Sequence, residues 1–145
     1  QLFVGFTESD GYTLGAAKPL GDADAVASDG PILGFRMKED ALGVVDAGYA
    51  DEAATLTNVV TGLGTFAAST WAKVGLIYDP AESANCIRFF WNGVQSSTVM
   101  SRSTLTGLTN LDVSTLGLTF ATFADSAGTS TYAYMDWWRC YQLAP

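Results

Sequence analysis

A chain of 145 residues that is 48% hydrophobic and only 15% charged has the size of one domain and is too apolar to remain disordered. Seven Lys and Arg stand against fifteen Asp and Glu, for a net charge of −8, and no basic cluster exceeds a pair. That excludes nucleic acid and disfavours an anionic membrane surface as partners, and no apolar run approaches the roughly 18 residues of a membrane span.

The first run, Leu2 to Phe6, already reads as a strand, and nothing before it supplies an initiator Met or a basic leader. The expectation is that sequence precedes Gln1. Turn signals then recur along the chain, at Ser9-Asp10-Gly11, Ser28-Asp29-Gly30-Pro31, Asp79-Pro80, Asn92-Gly93 and Ala127-Gly128. Gly21 to Ser28 is Ala-rich and long enough for a single helical turn. Ile32 to Met37 alternates Ile32, Gly34 and Arg36 against Leu33, Phe35 and Met37, as a strand does. Gly43 to Tyr49 and Ala54 to Val60 form an expected pair. Trp71 to Tyr78 places Trp71, Lys73, Gly75 and Ile77 on one face and Ala72, Val74, Leu76 and Tyr78 on the other. Asn85 to Trp91 runs into Asn92-Gly93, a type I′ hairpin signal because both central residues must adopt positive φ, and Val94 to Val99 returns. Ser103 to Leu118 reads as a long surface loop, after which Leu116 to Phe123 and Tyr132 to Leu143 close the chain. No segment sustains a helical apolar stripe. Many short strands separated by turn residues predict an all-β protein, an antiparallel β-sandwich formed as one domain over residues 1–145.

The residue inventory bears on chemistry. Histidine is absent, which removes His-based triads, the commonest general base and most zinc sites. Glu8-Ser9-Asp10 has a Glu-x-Asp spacing that would place two carboxylates on one strand face, but Gly11 makes the segment a turn. Glu39-Asp40 and Asp51-Glu52 are adjacent pairs, whose side chains would diverge on a strand. Asp22, Asp24 and Asp29 could supply oxygens to calcium, yet the spacing is not that of an EF-hand loop, and a solvated acidic loop is the plainer reading. Gly62-Leu63-Gly64-Thr65-Phe66-Ala67 fits a dinucleotide fingerprint in letters only, since a strand and not a helix is expected to follow. Cys86 and Cys140 leave two readings open, buried free thiols or a disulfide. The expectation is therefore a protein without catalytic residues, cofactor or metal.

Aromatic residues remain as the candidates for binding. In the last expected strand Trp137, Arg139 and Tyr141 share one face and Trp138 and Cys140 the other, with one face in the core. The face carrying Arg139 is the better contact surface, and Trp71, Trp137, Arg139 and Tyr141 form the candidate binding set. Most of the four Trp are expected to be core.

Two stretches point to a family. Trp71-Ala72-Lys73-Val74-Gly75-Leu76-Ile77-Tyr78-Asp79, followed by Ile87-Arg88-Phe89-Phe90-Trp91-Asn92-Gly93-Val94, resembles a hairpin of concanavalin A-like and laminin-G-like jelly rolls, and Met135-Asp136-Trp137-Trp138-Arg139-Cys140-Tyr141-Gln142-Leu143 resembles their closing strand. With Phe3-Val4-Gly5-Phe6-Thr7-Glu8-Ser9-Asp10 and Gly34-Phe35-Arg36 in the same order, the chain also resembles structural proteins of tailed bacteriophages, in which a jelly-roll domain decorates or stabilises the head. That resemblance implies a non-enzymatic virion protein at the capsid surface, whose partners are other capsid proteins and copies of itself. The wider fold family includes glycosidases and lectins. The glycosidase acids and the lectin metal-and-sugar set do not stand out here, which leaves a carbohydrate-binding module, with a glycan as partner, as the alternative.

Overall fold

The computed structural model describes residues 2–8, 31–37, 43–51, 57–107, 116–122, 134–136 and 138–139. These form eight strands and one short helix: β1 (Leu2–Glu8), β2 (Ile32–Met37), β3 (Val44–Ala50), β4 (Thr57–Thr65), β5 (Val74–Tyr78), β6 (Ile87–Trp91), β7 (Val94–Gln95), α1 (Arg102–Thr106) and β8 (Leu116–Thr122). One sheet has the order β4-β3-β2-β1-β8 and the other β5-β6-β7. Every described pairing is antiparallel.

The sandwich follows from the period-two pattern of β2. Leu33 and Phe35 point to one face, with Val45 and Ala47 of β3 and Val60 of β4, and meet Ile87 and Phe89 of the smaller sheet and Cys86 just before it in one buried cluster. Phe35 and Phe89 join the sheets edge to face, with ring centroids 5.8 Å apart. The predicted antiparallel β-sandwich is what forms. The other face of the large sheet is covered as well. Phe3, Ile32 and Ala50 make a second buried cluster there, and the cross-strand partners Arg36 and Asp46 share that face. This explains why β2 is buried on both sides, although it carries an arginine.

Four strands differ by more than two residues at an end from the sequence reading. β4 runs through Gly62-Leu63-Gly64 to Thr65, so the letters of the dinucleotide fingerprint lie mostly in a strand. β5 begins at Val74 and not at Trp71, because the backbone N–H and C=O of Lys73 are taken by the Asn92 side chain and N–H, each at 2.8 Å. The return strand expected over Val94 to Val99 pairs at Val94–Gln95, leaves the ladder, and rejoins it at Met100 opposite Ile87. Ser96 causes the departure, since its hydroxyl accepts the Thr98 N–H at 3.1 Å and offers the backbone a local alternative to the sheet. The expected closing strand, Tyr132 to Leu143, is corrected in part: its described residues, 134–136 and 138–139, carry no strand and are exposed.

The expected loop from Ser103 onward is also corrected. It begins inside α1, where Ser101 caps the helix by accepting the Thr104 N–H at 3.2 Å, and Leu105 plugs the core. A five-residue helix offers too few positions to show a period, so only the Ser cap before a lone Leu could have signalled it. Gly21 to Ser28 lies outside the described residues.

Candidate functional site

Two rigid pieces of backbone face each other across one end of the sandwich. The first is the β6–β7 hairpin. Asn92 (φ 50°) and Gly93 (φ 83°) both take positive φ, as the type I′ expectation required. The two bonds between Asn92 and Lys73 tie this turn to the segment leading into β5.

The second piece is the middle of β4. Here Gly62 adopts φ 66° at an irregular stretch of the β3–β4 ladder. Asp46 on β3 fixes the irregularity: one carboxylate oxygen accepts the Gly62 N–H at 2.8 Å, and the other accepts Asn58 Nδ2 at 3.3 Å. Arg36 Nη2 lies 3.9 Å from the same carboxylate, both side chains being almost fully buried. The pair is ionic by proximity and longer than a hydrogen bond.

Between these pieces lies a groove of about 500 Å³. Val60, Thr61, Gly62 and Leu63 form one wall, and Trp91, Asn92, Val94 and residues 95–98 form the other. Trp91 lies against Gly64, where an added methyl group would overlap its indole, and it meets Phe66 edge to face at 5.1 Å. The indole is thus held from behind while it contributes to the groove. None of the lining side chains is charged, and hydroxyls and carboxamides supply the polar groups. Sequence reasoning set Trp91 at the end of a strand before the Asn92-Gly93 turn but did not place it in a site. The groove arises from the pairing of two distant segments and from the backbone irregularity at Ser96, neither of which has a sequence period.

The expected binding residues are not brought together as a set. Trp71 is 68% exposed and lies two residues before Lys73, close in sequence to the bonds that hold the hairpin turn. Arg139 is exposed, and Trp137 and Tyr141 lie outside the described residues. The expectation that most Trp are core is corrected. Trp138 is 59% exposed, Trp71 is also outside, and Trp91 is half-buried. Trp71 and Trp138 themselves stand outside the ladders, and among the described residues no strand pairs with either.

Cys86 is a buried free thiol, the plainer of its two readings, and Cys140 lies outside the described residues. Burial pushes the Cys86 thiol above its ordinary pKa, with Arg102 pulling it down and Asp79 adding to the rise. Glu8 ends β1, while Ser9, Asp10, Asp22, Asp24, Asp29, Glu39, Asp40 and Glu52 lie outside the described residues. Among the described residues no group of three or more acids and cysteines is placed to hold a metal ion. No described helix is long and apolar enough to cross a membrane.

Comparison with protein-family models, with curated proteins and with solved structures gives no match.

Proposed function

We propose that this chain is a non-enzymatic virion structural protein, a concanavalin A-like jelly roll that decorates or stabilises a tailed-bacteriophage head through contacts with capsid proteins and with copies of itself. The observation that carries the reading is the placement of large apolar side chains on outer strands. Ile77 and Tyr78 on β5 are 43% and 42% exposed, and Leu118 and Phe120 on β8 are 48% and 37% exposed. Among the described residues β5 and β8 are outer strands of their sheets. Exposed apolar side chains on two sheet margins suit lateral packing into an assembly. The low share of charged residues fits the same use. A stable contact needs about 1,600 Å² of buried surface in total, and repeated copies in a lattice add avidity to modest single contacts.

The test is electron microscopy of virions produced without this chain, with shell disruption followed on heating. Loss of a regular surface density and a lower disruption temperature are expected. Shells of unchanged density and unchanged stability would reject the role. In add-back experiments Ile77→Ser with Phe120→Ser should lower shell occupancy at limiting protein, whereas full occupancy would place the contact elsewhere.

A further inference from the structure

We propose that the groove between β4 and the β6–β7 hairpin is a binding site for an uncharged oligosaccharide. The lining carries the argument. Thr61, Ser97 and Thr98 offer hydroxyls, Gln95 offers a carboxamide, and Trp91 and Val94 offer apolar surface. A sugar ring has this same division, with hydroxyls around its rim and C–H groups on its faces, and indole is the side chain best suited to the latter. The volume of about 500 Å³ lies within the range of small-ligand sites.

The polar groups are available, and the backbones that carry them are fixed in advance. Asn92 uses Oδ1 to accept the Lys73 N–H, which leaves its Nδ2 hydrogens to donate to a ligand. Ser96 Oγ accepts the Thr98 N–H and keeps its own hydrogen to give. Asp46 pins the facing wall at Gly62, so little backbone ordering remains for binding to demand.

Charge selects the kind of sugar. No lining side chain is ionised, and the chain as a whole carries −8, so a sialylated or uronic-acid glycan would meet repulsion with no cation in the groove to offset it. A peptide fits less well. Strand addition needs a regular free edge, and at β4 the ladder is irregular and the Gly62 N–H is already consumed by Asp46.

The experiment is a glycan array of neutral and anionic oligosaccharides, followed by titration of the isotope-labelled protein by NMR with each neutral hit and with one sialylated control. Neutral hits are expected to shift the amides of residues 61–63 and 92–98. Gln95→Ala and Thr61→Arg should weaken binding at least about tenfold. Thr61 and Gln95 are exposed, so the fold should survive, and an otherwise unchanged spectrum checks this. Ile77→Ser should leave the titration unaltered, which separates this site from the assembly surface. Silence across the neutral sugars, shifts that lie outside the groove, binding of anionic sugars alone, or indifference to both groove variants would each overturn the proposal.

Discussion

Removing the Asp46 carboxylate tests the joint on which the β4 wall depends. In Asp46→Ala the Gly62 N–H loses its acceptor at 2.8 Å, Asn58 Nδ2 loses one at 3.3 Å, and Arg36 loses an anion 3.9 Å away. A short bond to a charged acceptor contributes about 1.5–3 kcal/mol, and the longer amide bond about 0.5–1. Breaking a buried ion pair from one side costs about 3–5 kcal/mol, a figure that overlaps the first two because all three describe one carboxylate. Arg36 has a further interaction, which favours the lower part of the range. The expected loss is therefore about 3 kcal/mol. With a urea m-value near 2 kcal/mol/M, the midpoint falls by about 1.5 M. Asp46→Asn keeps an acceptor for Gly62 and should lose about half as much. Replacing Arg36 and Asp46 together with Met and Leu should recover most of the loss, because no buried charge is then stranded. Urea unfolding of the four proteins supplies the numbers. A midpoint for Asp46→Ala within about 0.3 M of the parent would refute the reasoning. Equal losses for the Asn and Ala variants would show that the charge, and not the acceptor geometry, holds β4.

Phe89→Ala removes a fully buried ring that joins the two sheets through Phe35, and should cost about 3–5 kcal/mol in the same assay. A loss under about 1 kcal/mol would mean that the sheets are not held together at this contact. For Cys86, tested in a Cys140→Ser background, the raised pKa predicts slow reaction with a thiol reagent at pH 8 in the folded protein and fast reaction after unfolding. The raised value also fixes a sign. The folded state holds the thiol proton more tightly, so this group's contribution is fully present below the unfolded value near 9.0 and is lost as pH rises through the folded one. Cys86→Ala should flatten that alkaline decline, and an unchanged slope would assign the decline to other groups.

The strands were legible where a two-residue period met a covered sheet. β2 coincides with the expected Ile32 to Met37, and the inward face of β5 is the Val74 and Leu76 face that alternation defines. The Asn92-Gly93 turn was legible because positive φ has a narrow residue signature. Strand ends were not, since side chains decide them from a distance: Asn92 ends the β5 ladder at Lys73, and Asp46 carries β4 past Gly62. The Trp residues misled because hydrophobicity predicts burial only where a partner sheet exists. The same letter is half-buried at Trp91, inside a ladder, and exposed at Trp71, three residues before one. The groove had no sequence signal, because its walls are about 30 residues apart and meet only through the sandwich.

The outer strands of the two sheets are treated differently, and the difference separates the two proposed surfaces. β4 is interrupted as an edge by a ladder irregularity, a glycine at positive φ and a carboxylate that consumes a backbone N–H, devices of the kind that keep an edge from pairing with another chain. β8, Leu-Gly-Leu-Thr-Phe-Ala-Thr, carries no charge and no proline, and two of its large side chains are exposed. β5 is likewise uncharged, with Ile77 and Tyr78 exposed. A chain selected only to remain apart from its neighbours would interrupt β5 and β8 as it does β4. On the two proposed readings, a guarded β4, together with β5 and β8 that are edges among the described residues, would direct association to one set of margins and keep the groove beside β4 clear for a small ligand. Charge placed on the open margins, as in Leu118→Lys on β8, where the side chain is exposed, should therefore impair assembly without changing glycan binding, while Thr61→Arg should do the reverse.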